Sequence, residues 1–168
     1  MKKILTITAV LTLLISSCKE TSTSKIEREG EPDVINIADE NIAMNQAIAK
    51  ANKTLSIFKT AIQSNNKNYY GFTLKQKFSD SDGSAEHIWI QDVTYDGSKF
   101  KGIVGNTPLY EINVKLGDTI NVDESNISDW MYFDQNITKG AYTIRVLRDQ
   151  MSTEEQKEFD IQSGMQFE

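Results

Sequence analysis

The residues best suited to chemistry lie in one short stretch, AEHIWIQDV, which places Glu86, His87 and Trp89 within four positions. His87 is the chain's only histidine and Cys18 its only cysteine. Nucleophilic catalysis needs a nucleophile, a base and an orienting group in contact. His87 is the single imidazole base available, and no G-x-S-x-G elbow accompanies it. The stretch reads as a β-strand, so neighbouring side chains point to opposite faces. His87 and Trp89 then share one face, while Glu86, Ile88 and Ile90 share the other. Glu86 cannot orient the imidazole beside it in sequence. Large apolar groups on both faces mark an interior strand, where a lone histidine has a structural role before a catalytic one.

Metal chemistry finds little support. One histidine and one cysteine would leave a zinc site to be built mostly of carboxylates, an uncommon donor set. DSDG suggests a calcium loop until the register is examined. With Gly83 in sixth place, Asp80 and Asp82 fit the third and fifth, but Phe78 and Trp89 fall on the first and twelfth, where carboxylates are required. The stretch is expected to be a hairpin turn, and no cofactor or metal is implied. Glu86, Asp92, Asp129 and Asp134 could supply a carboxylate pair for glycoside hydrolysis, yet no spacing selects two of them. Trp89 beside His87, and Trp130 beside Asp129, have the make-up of binding hot spots, set against the plainer reading of core tryptophans. Arg145 could pair with Asp129 across the sheet, as a salt bridge first and an anion site second.

Charge narrows the partners. Acidic residues outnumber basic ones by 24 to 18, a formal net charge of −6. Nucleic acid is therefore not expected as a partner, because its binders carry a basic patch. The first twenty residues, MKKILTITAVLTLLISSCKE, have a positive start, an apolar stretch too short to span a bilayer, and small residues before Cys18. ISSC has the form of a bacterial lipobox, in which the cysteine sulfur accepts a diacylglyceryl group. Residues 1–17 are thus expected to be a signal peptide, with Cys18 lipidated and further acylated, for example by palmitate. Two or three acyl chains would hold the protein firmly at the membrane. Lys19 in place of an aspartate favours the outer membrane and leaves the periplasmic or surface side open.

These groups must be positioned by the elements that follow. Residues 18–37 are polar and broken by Gly30 and Pro32, as in a flexible tether. A single domain is expected over residues 38–168. From Asp39 an apolar stripe of Met44, Ile48, Ala51, Leu55, Phe58 and Ile62 predicts a long amphipathic helix at its N-terminal end. Five or six strands follow: YYGFTLKQKF, EHIWIQDVTY, KFKGIVGN, YEINVKLGDTINV, ISDWMYFD and GAYTIRVLR. A two-residue turn at Asp96–Gly97 would set Asp92 opposite Lys101, Ile90 opposite Ile103 and Trp89 opposite Val104, with Gly102 making room for the Trp89 indole. MSTEEQKEF, with Ser152 and Glu155 as a capping box, predicts a short C-terminal helix. The fold class is α+β: a helix packed on a curved antiparallel sheet.

FTLK (72–75), EHIWI (86–90), FKGIVGNTP (100–108), ISDWM (127–131) and GAYTIRVL (140–147) occur in that order. Together they resemble a bacterial domain-of-unknown-function family, number 2314 or YegJ-like, over roughly residues 40–150. The resemblance implies one structural unit and no established activity, ligand or catalytic residue. The leading expectation is a non-catalytic, lipid-anchored module that binds an envelope protein or small molecule through Glu86, His87, Trp89, Asp129, Trp130 and Arg145. Two rivals stand beside it. One is an envelope hydrolase using His87 or an acidic pair; the other is an acidic protein that neutralises a basic effector.

Overall fold

The computed structural model describes residues 24–26, 34–36, 42–79 and 83–167. The expected signal peptide and Cys18 lie outside these residues, as do Asp39, Asp80 and Asp82. Within the stretch expected to be a tether, β1 (Ser24–Ile26) pairs antiparallel with β2 (Val34–Asn36).

The main unit is an α+β domain. Its helix α1 (Ile42–Gln63) precedes β3 (Tyr69–Ser79), β4 (Ala85–Tyr95), β5 (Phe100–Val104) and β6 (Thr119–Val122). A 3-10 turn then leads into β7 (Ile127–Asp134), β8 (Ile137–Gly140), α2 (Tyr142–Asp149) and α3 (Thr153–Ser163). The six strands form one antiparallel sheet in the order β6-β5-β4-β3-β7-β8, so β4 is interior and β6 and β8 are the edges. No helix among the described residues is long and apolar enough to cross a membrane.

The helix expected at the N-terminus needs correcting. α1 begins only at residue 42, and its buried face of Met44, Ala47, Ala51, Leu55, Phe58 and Ala61 is half alanine. Ile48 and Ile62 are only half-buried. Small residues bring the helix close to the sheet, and Phe58 fills the contact. Its ring lies 5.5 Å from Phe72, 5.8 Å from Phe100 and Trp130, and 6.4 Å from Tyr132. Edge-on ring pairs of this kind contribute about 1 kcal/mol each beyond the area they bury. The Trp130 indole N–H donates to the Ala51 carbonyl at 3.0 Å, which ties α1 to β7.

Three bulges shape the sheet, and each turns two successive residues toward the same face. In β7 the break falls between Lys75↔Asp129 and Gln76↔Ile127. Ile127 and Trp130 therefore both enter the core, while Ser128 and Asp129 both turn away from α1. In β4 the bulge is at Asp92, whose φ of 49° is left-handed. It sends Ile90 and Val93 inward and exposes Gln91 and Asp92. A third break lies beside Gly71 in β3.

The Asp92 bulge overturns the expected hairpin register. Ile90 pairs with Val104, Gln91 with Ile103 and Thr94 with Lys101. Gly102 makes room for Ile90 and Val93 instead of Trp89: a Cβ on it would lie 2.7 Å from Ile90 Cγ2 and 3.3 Å from Val93 Cγ2. Two expected strands are corrected as well. Of YEINVKLGDTINV only Thr119–Val122 is a strand; the rest is an irregular loop whose Ile112 and Val114 pack on the core. GAYTIRVLR turns into α2 after Gly140. The predicted capping box is present: Ser152 accepts from Glu155 N, and the Glu155 carboxylate accepts from Ser152 N.

Candidate functional site

The six residues singled out from the sequence do not converge. Glu86 is buried on the core face, where one carboxylate oxygen accepts from Leu109 N at 2.7 Å and Tyr110 N at 3.3 Å. It anchors the loop between β5 and β6. Trp130 is a core residue, 2% exposed, and presents no binding surface. Arg145 does not pair with Asp129. Because α2 is a helix, the guanidinium turns back on β8 and donates to Gly140 O at 2.9 Å and Thr138 O at 3.1 Å, with Phe167 4.6 Å from its centre.

Asp129 has a different partner set. Its Oδ1 accepts from Trp130 N at 2.8 Å and Tyr142 N at 3.1 Å. Its Oδ2 accepts from Thr143 N at 2.7 Å and the Thr143 hydroxyl at 2.6 Å. A helix opens with backbone N–H groups that lack carbonyl partners, and a carboxylate there also meets the favourable end of the helix dipole. Ala141, at the cap position of α2 with φ 53°, supplies no side-chain cap. Asp129 supplies it from the neighbouring strand.

His87 and Trp89 do share a face, the one turned away from α1, and two residues not singled out from the sequence join them. The registers set Lys75 of β3 opposite Trp89 on one side and Asp129 on the other, with Lys77 opposite His87 in the next row. Lys75 is only 8% exposed. Its ammonium lies 5.0 Å from the centroid of the Trp89 ring, within cation–π range. Among the described residues that ammonium has no hydrogen bond or ion pair. Burial pushes Lys75 below the ordinary lysine range, with the Asp129 charge acting against the shift. Burial likewise pushes Asp129 up, against its donors and Lys75.

Ser128 is the second addition. The β7 bulge brings its hydroxyl to 2.8 Å from His87 Nδ1 and 3.2 Å from the Lys75 carbonyl. The first contact has the spacing of a nucleophile and its base, but Ser128 is only 2% exposed. A hydroxyl held in that way links β7 to β4 more readily than it attacks a substrate. Nothing in the sequence signals the bulge, because it is a property of strand pairing. Lys75 carried only the signal of a lysine inside an expected strand, and that β3 is flanked on both sides is again a matter of strand pairing.

Among the described residues no three His, Cys, Asp or Glu side chains are placed to hold a metal ion. Two of the four carboxylates considered for hydrolysis, Glu86 and Asp129, are buried. Glu86 and Asp129 point to opposite faces, and Asp92 is exposed in its bulge.

Two curated proteins are similar to parts of the chain. The chain is 39% identical over 82 residues to a putative ankyrin repeat protein, NMB1133/NMB1171, of Neisseria meningitidis serogroup B, covering 49% of this chain and 32% of that protein. It is 36% identical over 102 residues to the uncharacterized protein YegJ of Escherichia coli K12, covering 61% of this chain and 65% of the relative. The chain thus spans about a third of the first relative's length and just under two thirds of the second's. No solved structure matches. Residues 41–167 match the model of a family described as uncharacterized protein conserved in bacteria (DUF2314), and the chain belongs to that family.

Proposed function

We propose that this domain is a non-catalytic binding module held at the bacterial cell envelope by lipid on Cys18. It meets an envelope protein or small molecule with the sheet face turned away from α1. The observation that carries the reading is the placement of Trp89. It is half-buried on that face, beside a buried lysine and one row from His87, whereas Trp130 is spent on the core. An indole with polar neighbours supplies large contact area at small conformational cost, which is why such groups dominate binding surfaces.

Site-specific photo-crosslinking in intact cells tests this reading. A crosslinker at Lys77, on the proposed face, is expected to give a discrete adduct, and one at Lys53, on the exposed side of α1, none. Equal patterns from both positions would overturn the assignment. Anchoring has its own test: a labelled fatty acid is expected in the wild-type protein and not in Cys18→Ser.

A second reading, an envelope hydrolase, is favoured by the Ser128–His87 contact. A fluorophosphonate probe that labels wild type and not Ser128→Ala would establish it in place of the first.

A further inference from the structure

Lys75 poses a physical question that the binding reading does not answer. A lysine buried to this degree without a hydrogen-bonding partner costs folding free energy, since its ammonium keeps only part of its contact with water and receives little in return. The nearest candidate partner, Asp129, is already committed to four donors at Trp130, Tyr142 and Thr143. The Trp89 ring offers its π face at 5.0 Å, a weaker partner than an oxygen anion. Ammonium and indole therefore stand together with one set of donors unspent.

We propose that Lys75 is the ligand-recognising group of this face, its ammonium donating to the carboxylate of a small planar ligand that lies along the Trp89 indole. The inference rests on the binding reading above and deepens it by naming the ligand's chemistry. A single carboxylate suits the site better than a phosphate. Phosphate sites gather several N–H donors or a guanidinium fork, and here one ammonium acts as a point charge. Asp129 stands directly across from Lys75, and the chain carries a net charge of −6, so a dianion meets more repulsion than a monoanion does. The planar part follows from Trp89, whose ring favours an offset-stacked partner.

The test uses the full chain in detergent with labelled indole nitrogens, and benzoate as the probe. The two indole N–H signals are assigned with Trp89→Phe. Benzoate is expected to shift the Trp89 signal in a saturable way at millimolar concentration and to leave Trp130 unmoved. Benzamide, of the same shape without the charge, is expected to bind at least about tenfold more weakly, and so is benzoate to Lys75→Met. The Trp130 signal, buried under α1, reports that the variant is folded. Lys75→Arg, which keeps the charge, is the second variant and is expected to retain part of the affinity. The proposal is overturned by equal binding of benzamide and benzoate, by unchanged binding to folded Lys75→Met, or by no saturable shift. If those results appear while the Lys77 adduct persists, the ligand assignment fails and the binding face stands. If the adduct is absent and benzoate still binds through Lys75, the failure lies with the envelope partner instead.

Discussion

Lys75 and Asp129 face each other across neighbouring strands, both buried and of opposite charge, and no ion pair joins them. The carboxylate is held by α2 instead. It accepts from the N–H groups that open that helix and from the Thr143 hydroxyl, and these donors occupy both of its oxygens. One acid inside β7 thus starts a helix, and the lysine opposite it is left to the Trp89 ring.

Replacing Asp129 with alanine should be costly. Four hydrogen bonds to a buried carboxylate disappear together, and the first turn of α2 loses its cap. The expected loss is about 3 kcal/mol, the sum of a helix cap and buried donors left unmet. Urea unfolding of the variant checks this, with α2 expected to lose amide-exchange protection first. A loss below about 1 kcal/mol would show that the α2 N-terminus finds other acceptors.

The opposite outcome is expected for Lys75→Met. Methionine fills similar volume without a charge, so the variant should be as stable as wild type or more stable by about 1 kcal/mol. The pH dependence follows from the lowered lysine pKa. Between its depressed folded value and its ordinary unfolded value, the folded state binds fewer protons than the unfolded state, so wild-type stability rises with pH across that window. Below the window the cost of the buried charge is fully present. The advantage of Lys75→Met should therefore be greatest below the depressed folded value and shrink as pH rises toward the ordinary lysine value. Chemical denaturation of both proteins along a pH series measures it. A clearly destabilised methionine variant would make Lys75 a structural partner of Asp129.

Period-two alternation was enough to separate His87 and Trp89 from Glu86, and the Ser152 and Glu155 spacing located the start of α3. The same rule misread residues 141–148. Tyr, Thr, Ile and Val favour strands, but Asp129 offers an acceptor that starts a helix there, and tertiary context outweighs such preferences. Lys75 lies in an expected strand, yet its burial depends on what β4 and β7 bring beside it. Ser128 was out of reach for a related reason: only the bulge turns it to the face of its neighbour Asp129.

Gly140 is expected to be the least replaceable glycine. Its φ of +75° already disfavours a side chain, and a Cβ would overlap the Trp130 carbonyl oxygen and lie 2.7 Å from Cζ3 of the indole. Neither obstacle can swing aside, since one is backbone and the other is packed under α1. Gly140→Ala should cost at least about 3 kcal/mol, combining backbone strain with overpacking. Thermal unfolding tests it, with Gly164→Ala as the comparison: that glycine has a similar φ of +66° and open space at its Cβ, so only the strain applies.

The C-terminal stretch should loosen in acid. Arg148 holds Asp160 through two 2.6 Å bonds, Nε to Oδ1 and Nη2 to Oδ2, joining α2 to α3. Beyond α3 the chain returns to the sheet edge: Gln166 O accepts from Thr138 N at 2.7 Å, and Phe167 lies under Arg145 and Arg148. The Arg148 guanidinium holds the Asp160 carboxyl below the usual carboxylate range. A depressed folded value means that the contribution is complete above the ordinary unfolded value and is lost as pH falls through the folded one. Amide exchange in residues 153–167, corrected for intrinsic rate, should accelerate across that acid window while the central strands stay protected. The Asp160→Asn variant should show the faster exchange already at neutral pH, because the amide supplies no charge to the guanidinium fork. Exchange in α3 that is the same in both proteins at neutral pH would leave the Phe167 packing as what holds this segment.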